Sequence, residues 1–260
     1  MAPHDRAVRY AFAAAVIAAA LTGCGAALDD RGAVRFDLRS RLLGRTLHEV
    51  VVGARPRRPL LVLLHGRGTG TDGFLRQGLV KRLRALRRRA PAVLLVDGGG
   101  SSYFHDRRDG PWGSYVLREA IPRTIRRFRL DGRRVAIGGE SMGGFGAFDL
   151  ARFRRFCAVG GHSAAMWRSG GDTPEGAFDD AEDFARHDVL GFAHPGVYGR
   201  ARVWIDVGLS DPFHDADVEL ARRLGVRPHV WPGGHGRGYW AKHLGAYLRF
   251  YARALASCRL

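Results

Sequence analysis

Lysine is almost missing from this sequence. Of 42 basic residues only Lys81 and Lys242 are lysine, so the formal charge of +17 is an arginine charge. An anion-binding surface is one source of such a bias. Here the arginines are spread along the chain without a nucleic-acid-binding motif, and alanine and glycine are abundant too. The pattern therefore reads as codon bias, and nucleic acid is not expected as a partner. Cysteine is equally scarce: Cys24, Cys157 and Cys258 are too few for a disulfide scaffold. No apolar run is long enough to cross a bilayer as a helix. No internal repeat is present. The grouping His214, Asp215, Asp217 has no second cluster with ligand spacing, so neither metal nor cofactor is expected, and Asp215 and Asp217 read as caps of a helix. What remains is a chain of 260 residues, 46% hydrophobic and 26% charged, enough for one well-buried α/β domain.

The N-terminus reads as a targeting segment. Arg6 and Arg9 precede the apolar run Tyr10 to Leu21, which suits the hydrophobic core of a signal peptide. The run ends in Leu21-Thr22-Gly23-Cys24, which resembles a bacterial lipobox. In such leaders the peptidase cuts before the cysteine, whose thiolate carries the lipid. The expected organisation is a signal peptide over 1–23, a tether over 24–33, and one domain over 34–260. Cys24 is the lipidation site, and the membrane is a partner through that anchor. Export permits a disulfide between the two remaining cysteines. Cys157 falls in an apolar strand where a free thiol is ordinary, so free thiols weigh above a bridge, and the sequence leaves the bridge open.

Along the domain, strand and helix patterns alternate. Val34–Leu38 and Leu47–Gly53 suit an antiparallel hairpin at a sheet edge. Pro59–His65 and Ala92–Val96 are continuous apolar runs, the mark of strands buried on both faces. Helical spacing covers Phe74–Arg88, Tyr115–Leu130, Met142–Phe153 and Tyr239–Leu255. Further strands fall at Val135–Gly138, Phe156–Gly160, Val203–Val207 and Pro228–Trp231. This order predicts a mostly parallel, doubly wound sheet with reacting groups at the strands' C-terminal ends. Segment 163–200 is less regular and reads as an insertion, a candidate cap.

One stretch organises the rest. Gly139-Glu140-Ser141-Met142-Gly143 follows a β-branched run and opens a helix, the setting of a nucleophile elbow. Gly139 and Gly143 flank the serine because a Cβ at either place would collide as the chain reverses. A serine hydroxyl needs a general base, and the base an orienting acid, here in the chain order serine, acid, histidine. His235 lies in a glycine-rich turn after a late strand and before the last helix. Asp211 lies in the loop beyond the preceding strand, whereas Asp206 lies inside that strand. Ser141, Asp211 and His235 are thus the candidate triad. Two donors are needed for an oxyanion. They are assigned to the backbone N–H groups of Met142 and of Arg67, in the glycine-rich loop 65–70, with His65 bracing that loop. Tyr103, Trp112 and Tyr115 are candidate substrate contacts.

The blocks LLHGRG (63–68), GPWGSYV (110–116), GGESMGGFGA (138–147), GLSDPF (208–213) and PGGHGRGYW (232–240) resemble an esterase branch of the α/β-hydrolases. That branch includes feruloyl and acetyl-xylan esterases, S-formylglutathione hydrolase and mycolyltransferases. The resemblance spans about residues 47–255 and implies the α/β-hydrolase fold. Matched residue by residue it implies the same triad, Ser141, Asp211 and His235. Two departures stand out. The doubled glycine Gly143-Gly144 is unusual for a mycolyltransferase elbow, and Arg67 replaces what is often an apolar residue. The expected activity is hydrolysis of a small-molecule or polymer-linked carboxylic ester through an acyl-enzyme. The alternatives are transfer of the acyl group to a sugar or lipid hydroxyl, and a non-catalytic envelope lipoprotein on the same fold.

Overall fold

A computed structural model describes residues 31–258. The expected signal peptide, Cys24 and the expected tether up to residue 30 lie outside the described residues. The tether reading ends early, because Ala33 already belongs to the first strand.

Among the described residues ten strands form, in chain order. They are β1 (Ala33–Arg39), β2 (Thr46–Val52), β3 (Pro59–Leu64), β4 (Ala92–Val96), β5 (Asp106–Arg107), β6 (Gly110–Pro111), β7 (Asp131–Ser141), β8 (Ala158–Ala164), β9 (Arg202–Gly208) and β10 (His229–Trp231). Eight of them make one sheet in the order β1-β2-β4-β3-β7-β8-β9-β10, and β5 pairs with β6 in a separate ribbon. Within the eight-stranded sheet only the β1–β2 and β2–β4 pairings are antiparallel, and the β5–β6 ribbon is antiparallel too. The rest of the sheet is parallel. The expected hairpin edge and parallel body are both present.

The apolar runs form β3 and β4 because each has something to bury on both faces. Leu60, Val62 and Leu64 enter one core cluster, while Leu61 and Leu63 enter the other. That is the period-2 alternation of a strand between two helical layers. One layer holds α1 (Asp72–Arg76), α2 (Leu79–Ala85) and α9 (Arg237–Ala256). The other holds α3 (Trp112–Tyr115), which runs through a π-helical turn (Val116–Ala120) into α4 (Ile121–Phe128), together with α5 (Met142–Leu150) and α8 (His214–Leu224).

Three expectations need correction. The single helix expected over 74–88 is broken: Gly78 adopts φ +80° and separates α1 from α2. The break places Gln77, whose Nε2 donates to the buried Glu140 at 2.7 Å. Cys157 and Cys258 are not free thiols but form a disulfide across 101 residues of sequence, joining the start of β8 to the end of α9. Asp215 and Asp217 do not cap α8: they sit in its first turn, and Phe213 occupies the cap position. Asp217 is fully buried. Burial, with Asp211 and Asp206 nearby, drives its carboxyl well above the usual range.

Segment 163–200 carries the last residues of β8, a 3-10 turn (Gly170–Asp172), α6 (Ala181–His187) and α7 (Val189–Phe192). It is fastened to β5: Arg107 Nη1 donates to the carbonyls of Gly176 and Ala177. Among the described residues no helix is long and apolar enough to cross a membrane.

Candidate active site

Ser141 ends β7 and precedes α5 at φ +53°, ψ −120°, a conformation that L-residues rarely adopt. The turn is possible only because its neighbours lack side chains. A Cβ on Gly143 would lie 2.0 Å from the Leu64 carbonyl oxygen, and one on Gly139 2.3 Å from the carbonyl carbon of Gly143. Gly144 is equally constrained, since its Cβ would lie 2.7 Å from that of Ala164. The doubled glycine therefore seats α5 against β8.

His235 is brought to the serine by a loop anchored on β9. The N–H of Leu209 donates to the Trp231 carbonyl at 2.9 Å, and that of Ser210 to the Gly233 carbonyl at 2.9 Å. Gly208 has no room for a side chain there, because its Cβ would meet the Gly233 oxygen at 2.3 Å. His235 Nε2 lies 2.8 Å from Ser141 Oγ. Nδ1 lies 3.0 and 3.2 Å from the two Asp211 oxygens. The ring is wedged between Phe213 and Trp240, each with its centroid 5.2 Å away. In this arrangement Nδ1–H donates to Asp211 and Nε2 accepts the serine hydroxyl.

Burial pushes the Asp211 carboxyl up, but its hydrogen bonds outweigh this and hold it below the usual carboxylate range. The donors are His235, the hydroxyl of Ser163 and the N–H of Phe213, the last at 2.9 Å. Ser163 is a site residue that reading the sequence missed. It is buried, adopts φ +51°, and belongs to β8 rather than to any loop a motif would flag.

Gly66 lies against the serine, its Cβ position 3.5 Å from that of Ser141. Its carbonyl is turned away by three donors, His65 Nδ1 at 2.8 Å, Thr69 Oγ1 at 2.9 Å and Thr69 N–H at 3.2 Å. Across that peptide the N–H of Arg67 donates to no carbonyl among the described residues. The N–H of Met142 opens α5 and has no intrahelical acceptor. His65 braces this loop, as expected: its Nε2 accepts from the N–H of Gly98 at 3.1 Å. Burial holds its imidazole below the usual range, hence uncharged.

Ser141, His235, Arg67 and Tyr103 all line one cleft of about 620 Å³, together with Trp167 and Phe213. Trp167 Nε1 donates to the Tyr103 hydroxyl at 3.0 Å. Of the three aromatics expected near substrate, only Tyr103 reaches this cleft. Tyr115 is fully buried and donates to Glu49. Burial, opposed by that hydrogen bond, raises the Glu49 carboxyl to about 8. Trp112 is buried beneath Gly99, with Nε1 on Asp109 Oδ1 at 3.2 Å. Both aromatics belong to the core.

A serine on a strand-to-helix elbow, met by a histidine and an aspartate from later loops of a mostly parallel sheet, defines an α/β-hydrolase. Residues 53–251 match the sequence profile of one family within that class, described as "Putative esterase", and the chain belongs to it. It is an enzyme of the carboxylesterase type. Among solved structures it is similar to a ferulic acid esterase at 23% identity, covering 85% of this chain and 98% of that one, with a TM-score of 0.73. It is also similar to an S-formylglutathione hydrolase from Agrobacterium tumefaciens (18% identity, 86% and 95% covered, TM-score 0.67). A third is MPT51 of Mycobacterium tuberculosis (20% identity, 86% and 98% covered, TM-score 0.67). No curated protein matches the chain in sequence.

Proposed function

We propose that the chain is an exported serine esterase that cleaves carboxylic esters through an acyl-enzyme. Ser141 Oγ attacks the ester carbonyl while His235 Nε2 takes its proton. The N–H groups of Arg67 and Met142 receive the oxyanion. The tetrahedral adduct collapses, the C–O bond to the alcohol breaks, and His235 returns its proton to the leaving oxygen. Water then repeats the sequence on the acyl-serine, releasing the acid. Asp211 holds the imidazole in the required tautomer and stabilises it while charged. The observation that carries this reading is the continuous chain Asp211–His235–Ser141 at hydrogen-bonding distance, open to a cleft.

Export and a lipid anchor at Cys24 complete the proposal. The leader supports them, and so does the Cys157–Cys258 disulfide, a bond that persists in oxidising compartments. Water is the proposed acceptor rather than a sugar or lipid hydroxyl. A fluorophosphonate probe should label Ser141 and nothing in Ser141→Ala. A p-nitrophenyl ester panel with and without trehalose or glycerol decides the acceptor: ester products appearing at the expense of free acid would replace the hydrolase reading with acyl transfer. Absence of labelling in folded protein would remove both.

A further inference from the structure

Behind the wall of the cleft lies a second, buried set of histidines and aspartates that the esterase chemistry does not use. Asp183 and His187 stand one turn apart on α6, and His105 comes from the loop after β4. Their ligand atoms lie within 4.8 Å of one another. His105 Nε2 is 3.1 Å from Asp183 Oδ2, and His187 Nε2 is 3.8 Å from Asp183 Oδ1. These separations bracket the roughly 3.3 Å edge of a tetrahedron with metal–ligand bonds of about 2.0–2.1 Å. The other nitrogen of His187, Nδ1, lies 2.7 Å from Asp149 Oδ2, and Asp149 is itself held by Arg152. A carboxylate behind the imidazole is the arrangement that orients a metal-bound histidine.

The hydrogen bonds of this cluster close on Asp183, whose Oδ2 also accepts from the N–H of Asp179 at 2.9 Å, but not on the histidines. If Nδ1–H of His187 donates to Asp149, its Nε2 lone pair faces the Asp183 carboxylate. Two electron-rich groups so placed need a cation between them, a proton or a metal. His105 Nδ1 is buried and has no partner. His105 and His187 have ring centroids 4.5 Å apart, which disfavours protonating both. Arg107 and Arg186 also face the cluster. Arg186 donates to Asp183 Oδ1 at 3.1 Å, but it is half exposed and equally bound to Glu182, so it can leave that oxygen free. A cavity of about 210 Å³ adjoins the two histidines, and its lining includes Asp149 but not Asp183.

We propose that His105, Asp183 and His187 bind a divalent transition-metal ion of the zinc class. Two imidazoles and one carboxylate at this spacing suit zinc rather than calcium or magnesium, which prefer all-oxygen sites. The ion staples α6 to the loop after β4. Phe178 stacks on His105 at 4.7 Å and also packs on Tyr103, so the staple backs the wall of the catalytic cleft. The expectation of no metal came from ligand spacing along the chain, which cannot see a ligand 78 residues from its partner.

The test uses the full mature chain, stripped with chelator and titrated with zinc alone. About one zinc per chain should bind, and the melting temperature should rise by roughly 5–10 °C at a hundredfold excess over Kd. His187→Gln and Asp183→Asn should each weaken binding by about a hundredfold and abolish the thermal shift. Should a variant misfold, cobalt(II) added to the stripped wild-type chain still decides, because a tetrahedral site gives intense visible absorption and an octahedral surface site does not. No binding and no thermal shift at about 100 µM zinc overturns the proposal and leaves a proton bridging His187 and Asp183. Equal zinc affinity in wild type and His187→Gln overturns it too, as adventitious binding by surface histidines.

Discussion

Two aspartate–histidine–hydroxyl chains sit on the sheet, and only one of them opens onto a cleft. Asp211–His235–Ser141 lies in the cleft. Asp206–His162–Tyr251 lies beneath it, with His162 Nδ1 at 2.7 Å from Asp206 and Nε2 at 3.0 Å from the tyrosine hydroxyl. The connectivity is the same. In the closed chain every acceptor is occupied: Asp206 also receives Trp204 Nε1 at 2.6 Å, Tyr239 OH at 3.0 Å and Tyr247 OH at 2.8 Å. The Tyr247 ring covers His162 at 3.6 Å. The Tyr251 hydroxyl fills the space left by Gly138 and Gly160, where a Cβ would come within 1.8 and 2.2 Å of it. The open chain ends instead on a strained serine beside Gly66 and two backbone N–H groups with no assigned acceptor. What separates the proposed catalytic relay from the structural one is access to a cleft and neighbouring free N–H donors, not the hydrogen bonds of the relay itself.

The contrast can be broken at either chain. Ser141→Ala should lower kcat by about 10⁵–10⁶-fold on a p-nitrophenyl ester with melting unchanged. Asp211→Asn should lower kcat by about 10⁴-fold through loss of the correct histidine tautomer. Asp206→Asn should do the reverse: activity within about threefold at saturating substrate, and a loss of roughly 2–4 kcal/mol in denaturant unfolding as four donors compete for a weaker acceptor. Equal kinetic damage from both aspartate variants would show that the closed chain takes part in catalysis.

The next effects sharpen the comparison. Cys258→Ser frees the end of α9, which carries Tyr239, Tyr247 and Tyr251. It should cost about 4 kcal/mol for a closed loop of this length, read as a lower midpoint in urea, with kcat little changed below the new melting point. Glu140, beside the nucleophile, is pushed to about 7 by burial, with the Gln77 amide opposing the shift. Its pKa is higher in the native state than in the unfolded chain, so the native state keeps a proton that the unfolded chain has lost. Stability therefore falls as pH rises from about 4.5 to about 7. Glu140→Gln should remove that loss, gaining roughly 2–3 kcal/mol on the parent between pH 5 and pH 8. The smallest effect is expected at Ser163. Ser163→Ala removes one of the donors on Asp211 and should lower kcat by about tenfold at unchanged KM, with the acid limb of the pH–rate profile moving upward.

How much of this was legible beforehand depended on whether the information was local. The elbow was, because Gly139, Ser141 and Gly143 act within one turn, and so were Asp211 and His235, because each follows its strand directly. Leu60 to Leu64 announced a strand buried on both faces by composition alone. The break at Gly78 was not legible, since helical spacing continues across it and only the left-handed backbone reveals the turn. Tyr115 and Trp112 are only candidate contacts in the sequence, because aromatics near a site motif serve core and pocket alike, and the outcome rests on Glu49 and Gly99, distant in sequence. Ser163 acts through a strained backbone within a strand. The Cys157–Cys258 bridge depended on where the end of α9 comes to rest.

That bridge gives the molecule a covalent topology its fold does not suggest. Residues 157–258 form a closed ring that contains Asp211 and His235, whereas Ser141 lies outside it. A protease cutting once anywhere in that ring, including the exposed stretches of the 163–200 segment, opens the loop without releasing a fragment. If the proposed export holds, the enzyme would survive nicking outside the cell as one molecule. The two pieces would separate on a denaturing gel only after reduction, and for a cut in the 163–200 segment Ser141 lies on one and His235 on the other.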